Sequence, residues 1–265
     1  MTSVVKKVIN TFLQPIGVHV AKTTPSSEVE KIIDLLKPIN CGVELIRIGG
    51  NNDGGYLLPN DMDGIKYCFS PGVSDTASFE FDCLARGISS FLADYSVDAP
   101  PIELNGCKFS KKFIGAVNNE EYMTLDKWVS ESLTSECDRE LILQMDIEGD
   151  EYETFLATTK ETLTRFRIMV VEFHNMESLR DKFFCNIVLS TLRRIREEFD
   201  VVHIHPNNCC GVSTISGVKI PTIFETTFIR KDRVKSRKPV KNLPHPLDQP
   251  NLPSMADITL SSRWC

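Results

Sequence analysis

The sequence lacks any run of about 18 apolar residues, the length that a helix needs to cross a bilayer, so we expect no transmembrane segment. The first twenty residues contain Lys6 and Lys7, but Asn10 and Pro15 interrupt any apolar core of the kind found in signal peptides. We therefore expect no signal peptide. The segment 4–20 is weakly amphipathic, and we expect it to pack on the rest of the protein, with peripheral membrane contact as the alternative.

Paired cysteine motifs are also lacking. Nine cysteines are present, an odd number, and no Cys-x-x-Cys pair occurs. Several lie within apolar runs, as Cys68 does between Tyr67 and Phe69, which is typical of free cysteines that pack as small hydrophobic side chains. This usage indicates a reduced protein, and we expect a cytoplasmic location.

Basic residues are fewer than acidic ones. The 265 residues include 30 Lys and Arg against 36 Asp and Glu, a formal net charge of −6. The overall electrostatic field therefore does not favour nucleic acid as a partner. Residues 230–241 depart from this balance, since they contain seven basic residues and one acidic residue. Such a basic strip could contact a phosphate, an anionic sugar or a lipid surface, and a solvated tail is the simpler interpretation.

Strand-like and helix-like segments alternate through the middle of the chain. The alternation predicts an α/β fold in which helices cover both faces of a mostly parallel sheet. We divide the chain into an N-terminal helical extension (1–43), a sheet domain (44–230) and a basic, proline-rich C-terminal tail (231–265). The strand-like runs of the sheet domain include 66–69, 89–93, 112–117, 141–145, 167–173, 201–205 and 222–230.

Two phosphate-binding motifs are absent, because neither Gly-x-Gly-x-x-Gly nor the P-loop pattern Gly-x-x-x-x-Gly-Lys-Ser/Thr occurs. A single glycine, Gly72, follows the first strand-like run, and a helical pattern begins near Phe79. Asp94 follows the next strand, about 20 residues further on, where an acid commonly accepts hydrogen bonds from ribose hydroxyls. This arrangement fits a dinucleotide or S-adenosylmethionine, and the missing glycine fingerprint favours S-adenosylmethionine, which has no pyrophosphate.

The run Asp146-Ile-Glu148-Gly-Asp-Glu151 resembles the DxEGxE signature of the FkbM-type S-adenosylmethionine-dependent methyltransferases. Further segments, in the same order, are similar to one branch of that family, which includes methyltransferase-like proteins of animals. At Ser70 the more familiar pattern of the family has an acid. These segments are the glycine-rich run 47–56, Ser70-x-Gly72 with Ser78-Phe79-Glu80, Asp94-Tyr-Ser96 and the run 202–208.

The resemblance implies a Rossmann-like methyltransferase fold, with a seven-stranded sheet whose last strand is antiparallel. It implies an enzyme that transfers a methyl group from S-adenosylmethionine to a hydroxyl, commonly of a sugar or glycan. The residues that it places around the cofactor are Ser70, Gly72, Ser74, Phe79, Glu80, Asp94, Ser96, Gly115, Ala116 and Asp146.

A hydroxyl is a poor nucleophile, so its methylation benefits from a general base or a metal ion. His174 follows an apolar strand and titrates near neutral pH, which makes it our first choice for the base. Asp146 and Glu148 could share that role or bind a divalent cation. The remaining acids of this run, Asp150 and Glu151, are also explained by the preference of a helix N-terminus for negative charge.

The acceptor is expected to be a glycan or another small hydroxylated molecule. Its predicted contacts are Asp53, in the glycine-rich run, and His205, Asn207 and Asn208, which follow a late strand. The predicted ligands of a metal ion, if one is present, are Asp146, Glu172 and His205. For Asp53 and for the asparagines a plain turn is the alternative interpretation.

Two other functions are compatible with the sequence. One is an NAD(P)-dependent oxidoreductase, against which the missing glycine fingerprint argues. The other is a methyltransferase-like binding module without catalysis, which Ser70 and the basic strip at 230–241 would support.

Overall fold

The structure, a computed structural model, describes residues 3–18, 20–73, 76–101, 105–133 and 139–265. Its helices are α1 (Ser3–Leu13), α2 (Ser26–Leu36), α3 (Ser78–Ala85), α4 (Leu125–Ser132), α5 (Glu151–Ala157), α6 (Lys160–Leu163) and α7 (Lys182–Glu198). Its strands are β1 (Ile39–Asn40), β2 (Leu45–Ile48), β3 (Tyr56–Pro59), β4 (Tyr67–Pro71), β5 (Ser89–Ala93), β6 (Lys108–Ser110), β7 (Phe113–Gly115), β8 (Tyr122–Thr124), β9 (Leu141–Met145), β10 (Phe166–Phe173), β11 (Phe199–Pro206), β12 (Val212–Ile215), β13 (Val218–Pro221), β14 (Phe224–Arg230) and β15 (Lys238–Pro239).

Seven strands form the central sheet, in the order β6-β5-β4-β9-β10-β14-β11. The strands β6, β5, β4, β9 and β10 are parallel to one another. In contrast, β14 lies between β10 and β11 and is antiparallel to both. The predicted α/β class is confirmed, and so is the Rossmann-like sheet of seven strands with its last strand antiparallel. Every residue of β9, β10 and β11 is buried, as expected for strands covered on both faces.

The two faces of the sheet belong to different hydrophobic clusters, because successive side chains of a strand point in opposite directions. Phe69 and Leu143 enter the larger cluster, which α2, α4, α5 and α7 cover. Their chain neighbours Cys68 and Ile142 enter a smaller cluster, which is covered by α3 and the antiparallel pair β2–β3. This packing holds the carboxyl ends of β4, β5, β9 and β10 at one edge of the sheet.

The third strand of the sheet differs from its predicted position at 112–117. The strand beside β5 is β6, which was not predicted, whereas β7 pairs in parallel with β8 outside the central sheet. Both β6 and β7 are only three residues long, so neither has the extended apolar pattern by which a strand is recognised.

The N-terminal helix α1 does not meet the expectation that it packs on the body. Val4, Val8 and Phe12 on its apolar side are exposed, the last by 78%. Asn10 ties the helix only to the backbone of Val20, through two hydrogen bonds among the described residues. None of the helices in the described ranges combines the length and the apolar character that crossing a membrane requires.

The basic strip at 230–241 is docked on the protein by ion pairs, which differs from a solvated tail. Arg233 binds Asp61 through two hydrogen bonds of 2.7 Å, and Arg237 binds Asp200 at 2.9 Å. Lys231 donates to the backbone carbonyls of Arg196 and Glu197 at the end of α7. Much of the strip's positive charge is therefore used within the molecule.

The rest of the C-terminal segment also packs on the sheet domain. Trp264 is 2% exposed and contacts the ring of Phe224, with 6.0 Å between the ring centroids. Asn208 accepts from the backbone N–H of Leu252 and donates to the carbonyls of Leu252 and Met255. These contacts bring residues 252–255 beside Asn208, which follows β11, and Trp264 beside the first residue of β14.

Candidate functional site

Gly72 directly follows β4 and lies against the backbone of Asp146, which directly follows β9. Its N–H donates to the carbonyl of Ala93, and the N–H of Asp146 donates to the carbonyl of Pro71. Its φ of +85° suits glycine, and a Cβ at this position would lie 1.5 Å from the backbone oxygen of Asp146. No other residue fits there, so the cleft at this edge depends on the glycine.

The first lobe of the cleft has a volume of about 490 Å³, within the range of about 300–1,000 Å³ that is usual for small-molecule sites. Asp94 and Ser96 line it at the end of β5, and Asp94 Oδ1 accepts from both the N–H and the hydroxyl of Ser96. The remaining wall is aromatic and apolar, and it is formed by Phe113, Ile114 and Tyr122. The lobe thus offers an acid for hydroxyls and a surface for a flat ring.

The second lobe has a volume of about 340 Å³ and shares Gly72, Asp146 and Glu148 with the first. Polar groups dominate its remaining wall, which includes Asp53, Tyr56, Ser78, Glu80 and Gln144 as well as Phe79. Asp146 and Glu148 therefore stand at the junction between a partly apolar lobe and a polar lobe.

The structure places Gly72, Phe79, Glu80, Asp94, Ser96 and Asp146 on the walls of the two lobes. Ser70 is fully buried beneath the cleft, where its hydroxyl contacts Glu80 Oε1 and Gln144 Oε1. Burial raises the pKa of Glu80, although the Ser70 hydrogen bond opposes this.

Two of the predicted cofactor residues lie elsewhere. Gly115 pairs with Thr124 of β8, and Ala116 is the next residue in the chain. Gly115 and Ala116 do not line a lobe, whereas Phe113 and Ile114 of the same strand do. The residues of this strand that reach the lobe therefore immediately precede the two that were predicted. Ser74 lies outside the described residues.

His174 lies behind the junction of the lobes and is held by Glu151. Its Nδ1 is 2.9 Å from Glu151 Oε1, which also accepts from the N–H groups of Ile147 and Gly149. Because that oxygen already accepts two hydrogen bonds, we assign the Nδ1 proton to His174 as a third donor. Its Nε2 then faces Asp146 Oδ1 and Glu148 Oε2, each at 3.6 Å.

The backbone that follows β9 is shaped to bring these groups together. Glu148 has a φ of +58°, which is unusual for a residue with a side chain and is typical of strained functional segments. Gly149 has a φ of +118°, and a Cβ there would lie 2.6 Å from Asn175 Nδ2. The tight turn therefore directs the Glu148 carboxylate, which is largely exposed, toward His174.

The electrostatics of the junction favour proton exchange near neutral pH. Burial raises the pKa of Asp146 to about 7, and the charges of Glu148 and Glu151 act in the same direction while His174 opposes them. Burial alone would lower the pKa of His174, but the hydrogen bond and the charge of Glu151 outweigh it, so that pKa is raised. Asp146 and His174 consequently compete for a proton within one pair.

The predicted acceptor residues do not form a single surface. Asp53 lines the second lobe, and Asn207 donates to Glu172 Oε1 at 2.8 Å. Asn208 is buried, and its amide is used to hold residues 252 and 255. His205 is also buried, with its Nδ1 3.6 Å from Asp248 Oδ2. His205 and Asn208 therefore anchor the C-terminal segment and line neither lobe.

The predicted metal ligands fall into different groups. In each of two groups, one ligand atom from every residue lies within 4.8 Å of those of the others. One group is Asp146, Glu148 and His174. The other is Glu172, Asp53 and Glu225. His205 belongs to neither group among the described residues, so the structure does not bring Asp146, Glu172 and His205 together as one set. Asp146 and Glu172 lie on different strand ends, and His205 is turned toward Asp248.

Several residues of the site were missed from the sequence. Glu151 is fully buried, whereas the prediction from the sequence was a charge that favours the N-terminus of a helix. Its spacing to the apolar Phe155 four residues later would have placed it on the buried face of α5. Glu225 and Asn251 carried no such signal, because only the tertiary fold brings them beside Glu172 and Asp53.

Comparison with known proteins adds similarity of fold. No protein-family model matches the sequence, and no curated protein matches it significantly. A chain of the fibrillarin/Nop5p complex is 12% identical, with a TM-score of 0.36 over 62% of this chain and 72% of that chain. Magnesium protoporphyrin IX methyltransferase from Synechocystis PCC 6803 with bound SAH is 11% identical, with a TM-score of 0.33 over 64% and 76%.

A structure from echinomycin biosynthesis, concerned with conversion of a disulfide bond into a thioacetal group, is 13% identical, with a TM-score of 0.32 over 62% of this chain and 76% of that chain. At such identities and TM-scores these likenesses are confined to the general fold, and no functional argument rests on them.

Proposed function

We propose that the protein is an S-adenosylmethionine-dependent O-methyltransferase of the FkbM type, acting on a hydroxyl of a glycan or another small hydroxylated molecule. The observation that carries the proposal is the two-lobed cleft with Asp146 at its junction. Asp94 at the end of β5 suits the ribose hydroxyls of the cofactor. Phe113, Ile114 and Tyr122 provide the wall against which an adenine ring can lie.

The charge of the cleft supports this cofactor over a dinucleotide. The described walls of both lobes include acids, among them Asp94, Asp146 and Glu148, and contain no Lys, Arg or His. A pyrophosphate is stabilised by backbone N–H donors and basic side chains, and these carboxylates would repel it. The sulfonium and ammonium groups of S-adenosylmethionine are cationic, so the same carboxylates attract them.

When bound, S-adenosylmethionine supplies an electrophilic methyl group on sulfur, so the protein mainly positions the acceptor and accepts its proton. Asp146 reaches both lobes, and His174 lies directly behind it. The Asp146–His174 pair would accept the proton of the acceptor hydroxyl, while the bound cofactor would supply the methyl group and leave as S-adenosylhomocysteine when its sulfur–methyl bond breaks. Glu151 holds the His174 ring and stabilises the positive charge that the ring gains.

The second lobe is suited to an acceptor rich in hydroxyl groups. Asp53, Tyr56 and Gln144 present carboxylate, phenol and amide groups along its wall. Such groups can pair with sugar hydroxyls as both donors and acceptors. This polarity supports a glycan or small polyol over a flat apolar substrate.

The non-catalytic alternative loses one of its two supports. The basic strip was its candidate binding surface, but Arg233 and Arg237 are engaged by Asp61 and Asp200. A cytoplasmic location is part of the proposal, and it is supported by the eight described cysteines, all of which are free.

Titration calorimetry with S-adenosylhomocysteine tests the cofactor assignment. We expect 1:1 binding and no binding of NAD. Asp94→Ala should weaken the affinity by about 10- to 100-fold, the cost of losing charge-assisted hydrogen bonds. Asp98→Ala is the matched control, because Asp98 lies in the loop after β5 with its side chain 93% exposed and should leave the affinity unchanged. Equal affinity in wild type and Asp94→Ala would refute the assignment.

A further inference from the structure

A second group of carboxylates lies beside the cleft, at the ends of β10 and β14. Glu172 and Glu225 are register partners on these strands and are only 3% and 5% exposed. Asp53, from the glycine-rich loop, is the third member, and one carboxylate oxygen of each lies within 4.8 Å of the others. Three acids from three distant parts of the chain therefore converge on one small volume.

Asn251 joins this group from the C-terminal segment. Its Nδ2 donates to Glu225 Oε1 at 2.7 Å and to Asp53 Oδ1 at 3.1 Å. The side chain is 4% exposed, and its Oδ1 has no hydrogen-bond partner among the described residues. A half-turn of the amide would place that oxygen where the nitrogen now lies, between two carboxylates.

In the described part of the chain, no ion pair joins a lysine or arginine to any of these three acids. Glu172 accepts from Asn207 through Oε1, but its buried Oε2 has no hydrogen-bond partner there. The basic side chains whose charges act on Glu225 are His205 and Arg47. His205 faces Asp248, and the guanidinium of Arg47 donates to the backbone carbonyls of Gly50 and Asn52. A buried carboxylate without a partner is costly, so these atoms require a ligand or protons.

The available ligand atoms are all oxygens, which are the ligands that hard divalent cations prefer. For Ca²⁺, ligands at 2.3–2.6 Å on opposite sides of the ion are separated by about 4.6–5.2 Å, and neighbouring ligands by less. The separations of up to 4.8 Å in this group fit that geometry. Nitrogen and sulfur ligands, which zinc favours, are not among the four residues.

We infer that Asp53, Glu172, Glu225 and Asn251 form a binding site for a hard divalent cation of the Ca²⁺ or Mg²⁺ class. The ion links the glycine-rich loop, two strands of the central sheet and the C-terminal segment, and so fixes the wall of the second lobe to which Asp53 belongs. This cation site is distinct from the group Asp146, Glu148 and His174, and the inference does not depend on the proposed methyl transfer.

Calorimetry on the full chain, stripped with a chelator and dialysed, tests the site with CaCl₂, MgCl₂ and MnCl₂ in turn. We expect one cation per chain and a higher melting temperature with that cation. Asp53→Asn should weaken binding at least tenfold, on the order of the effects known around metal ligands. Glu225→Gln should abolish it. Asp53 is exposed on a loop, so its variant remains informative if the buried substitution prevents folding.

Glu148→Gln is the matched control, because it removes a carboxylate from the other group at the cleft and should leave cation affinity unchanged. Absence of binding by all three cations would overturn the inference. Binding that survives in Asp53→Asn but is lost in Glu148→Gln would also overturn it, since the ion would then belong to the other group. No cofactor is present in the experiment, so its outcome is separate from that of the proposed function.

Discussion

Glu151 shows how a single buried acid organises the chemistry of the cleft. Its Oε1 accepts from two backbone N–H groups of the turn after β9 and from His174 Nδ1. One oxygen therefore fixes both the strained turn that carries Glu148 and the orientation of the His174 ring. A carboxylate behind a histidine raises the basicity of the ring nitrogen that faces the reactants.

We expect Glu151→Gln to lower the pKa of His174. The negative charge and the charge-assisted hydrogen bond of Glu151 raise that pKa against the effect of burial, and a neutral amide removes the charge. NMR titration of the histidine ring measures the change. Glu153→Gln, an exposed substitution on the same helix, should leave the titration unaltered. An unchanged His174 titration in Glu151→Gln would show that Glu151 only fills space.

At the scale of single residues, the sequence predicted those that stand directly after strands. Gly72, Asp94 and Asp146 were found because the ends of parallel strands meet at one edge of the sheet. It did not predict that His205 and Asn208 hold the C-terminal segment, since their partners lie more than 40 residues further along the chain. Contacts of that kind leave no local pattern.

At the scale of elements, the cleft depends on how closely β4 approaches β9. The two strands are paired in parallel up to Phe69 and Leu143, and beyond this the chain turns at Gly72 against the backbone of Asp146. The long apolar strands were predictable because burial on both faces requires continuous apolar residues. The short strands β6 and β7 were not, because their pairing is decided by partners distant in sequence.

We expect Gly72→Ala to destabilise the protein by about 3 kcal/mol or more, since the added methyl group overlaps Asp146 and the backbone has a positive φ. Gly87→Ala is the matched control: Gly87 has a similar φ of +77°, but a Cβ there meets nothing within 4 Å. It should cost only about 1–2 kcal/mol. Urea unfolding measures both, and equal losses would show that the close approach of β4 to β9 is unimportant.

At the scale of the whole molecule, the C-terminal segment is part of the folded unit. Residues 231–265 were predicted as a tail from their proline and lysine content, yet Asn251, Leu260 and Trp264 are buried. Composition describes the average character of a segment, whereas docking is decided by a few side chains that find partners elsewhere. The ion pairs Arg233–Asp61 and Arg237–Asp200 are such partners.

Arg233 should contribute to stability in a pH-dependent manner. Burial raises the pKa of Asp61, but the hydrogen bonds and charge of Arg233 outweigh it, so the pKa is lowered. The stabilisation is therefore complete above the pKa of Asp61 in the unfolded chain, near 3.8, and is lost as the pH falls through its pKa in the folded protein.

We expect Arg233→Gln to cost about 1 kcal/mol at pH 7 and less below pH 3. Arg263→Gln, which breaks the exposed pair with Glu30, should have almost no effect. Chemical unfolding across this pH range measures the difference, and a pH-independent loss in Arg233→Gln would mean that the guanidinium acts by packing alone.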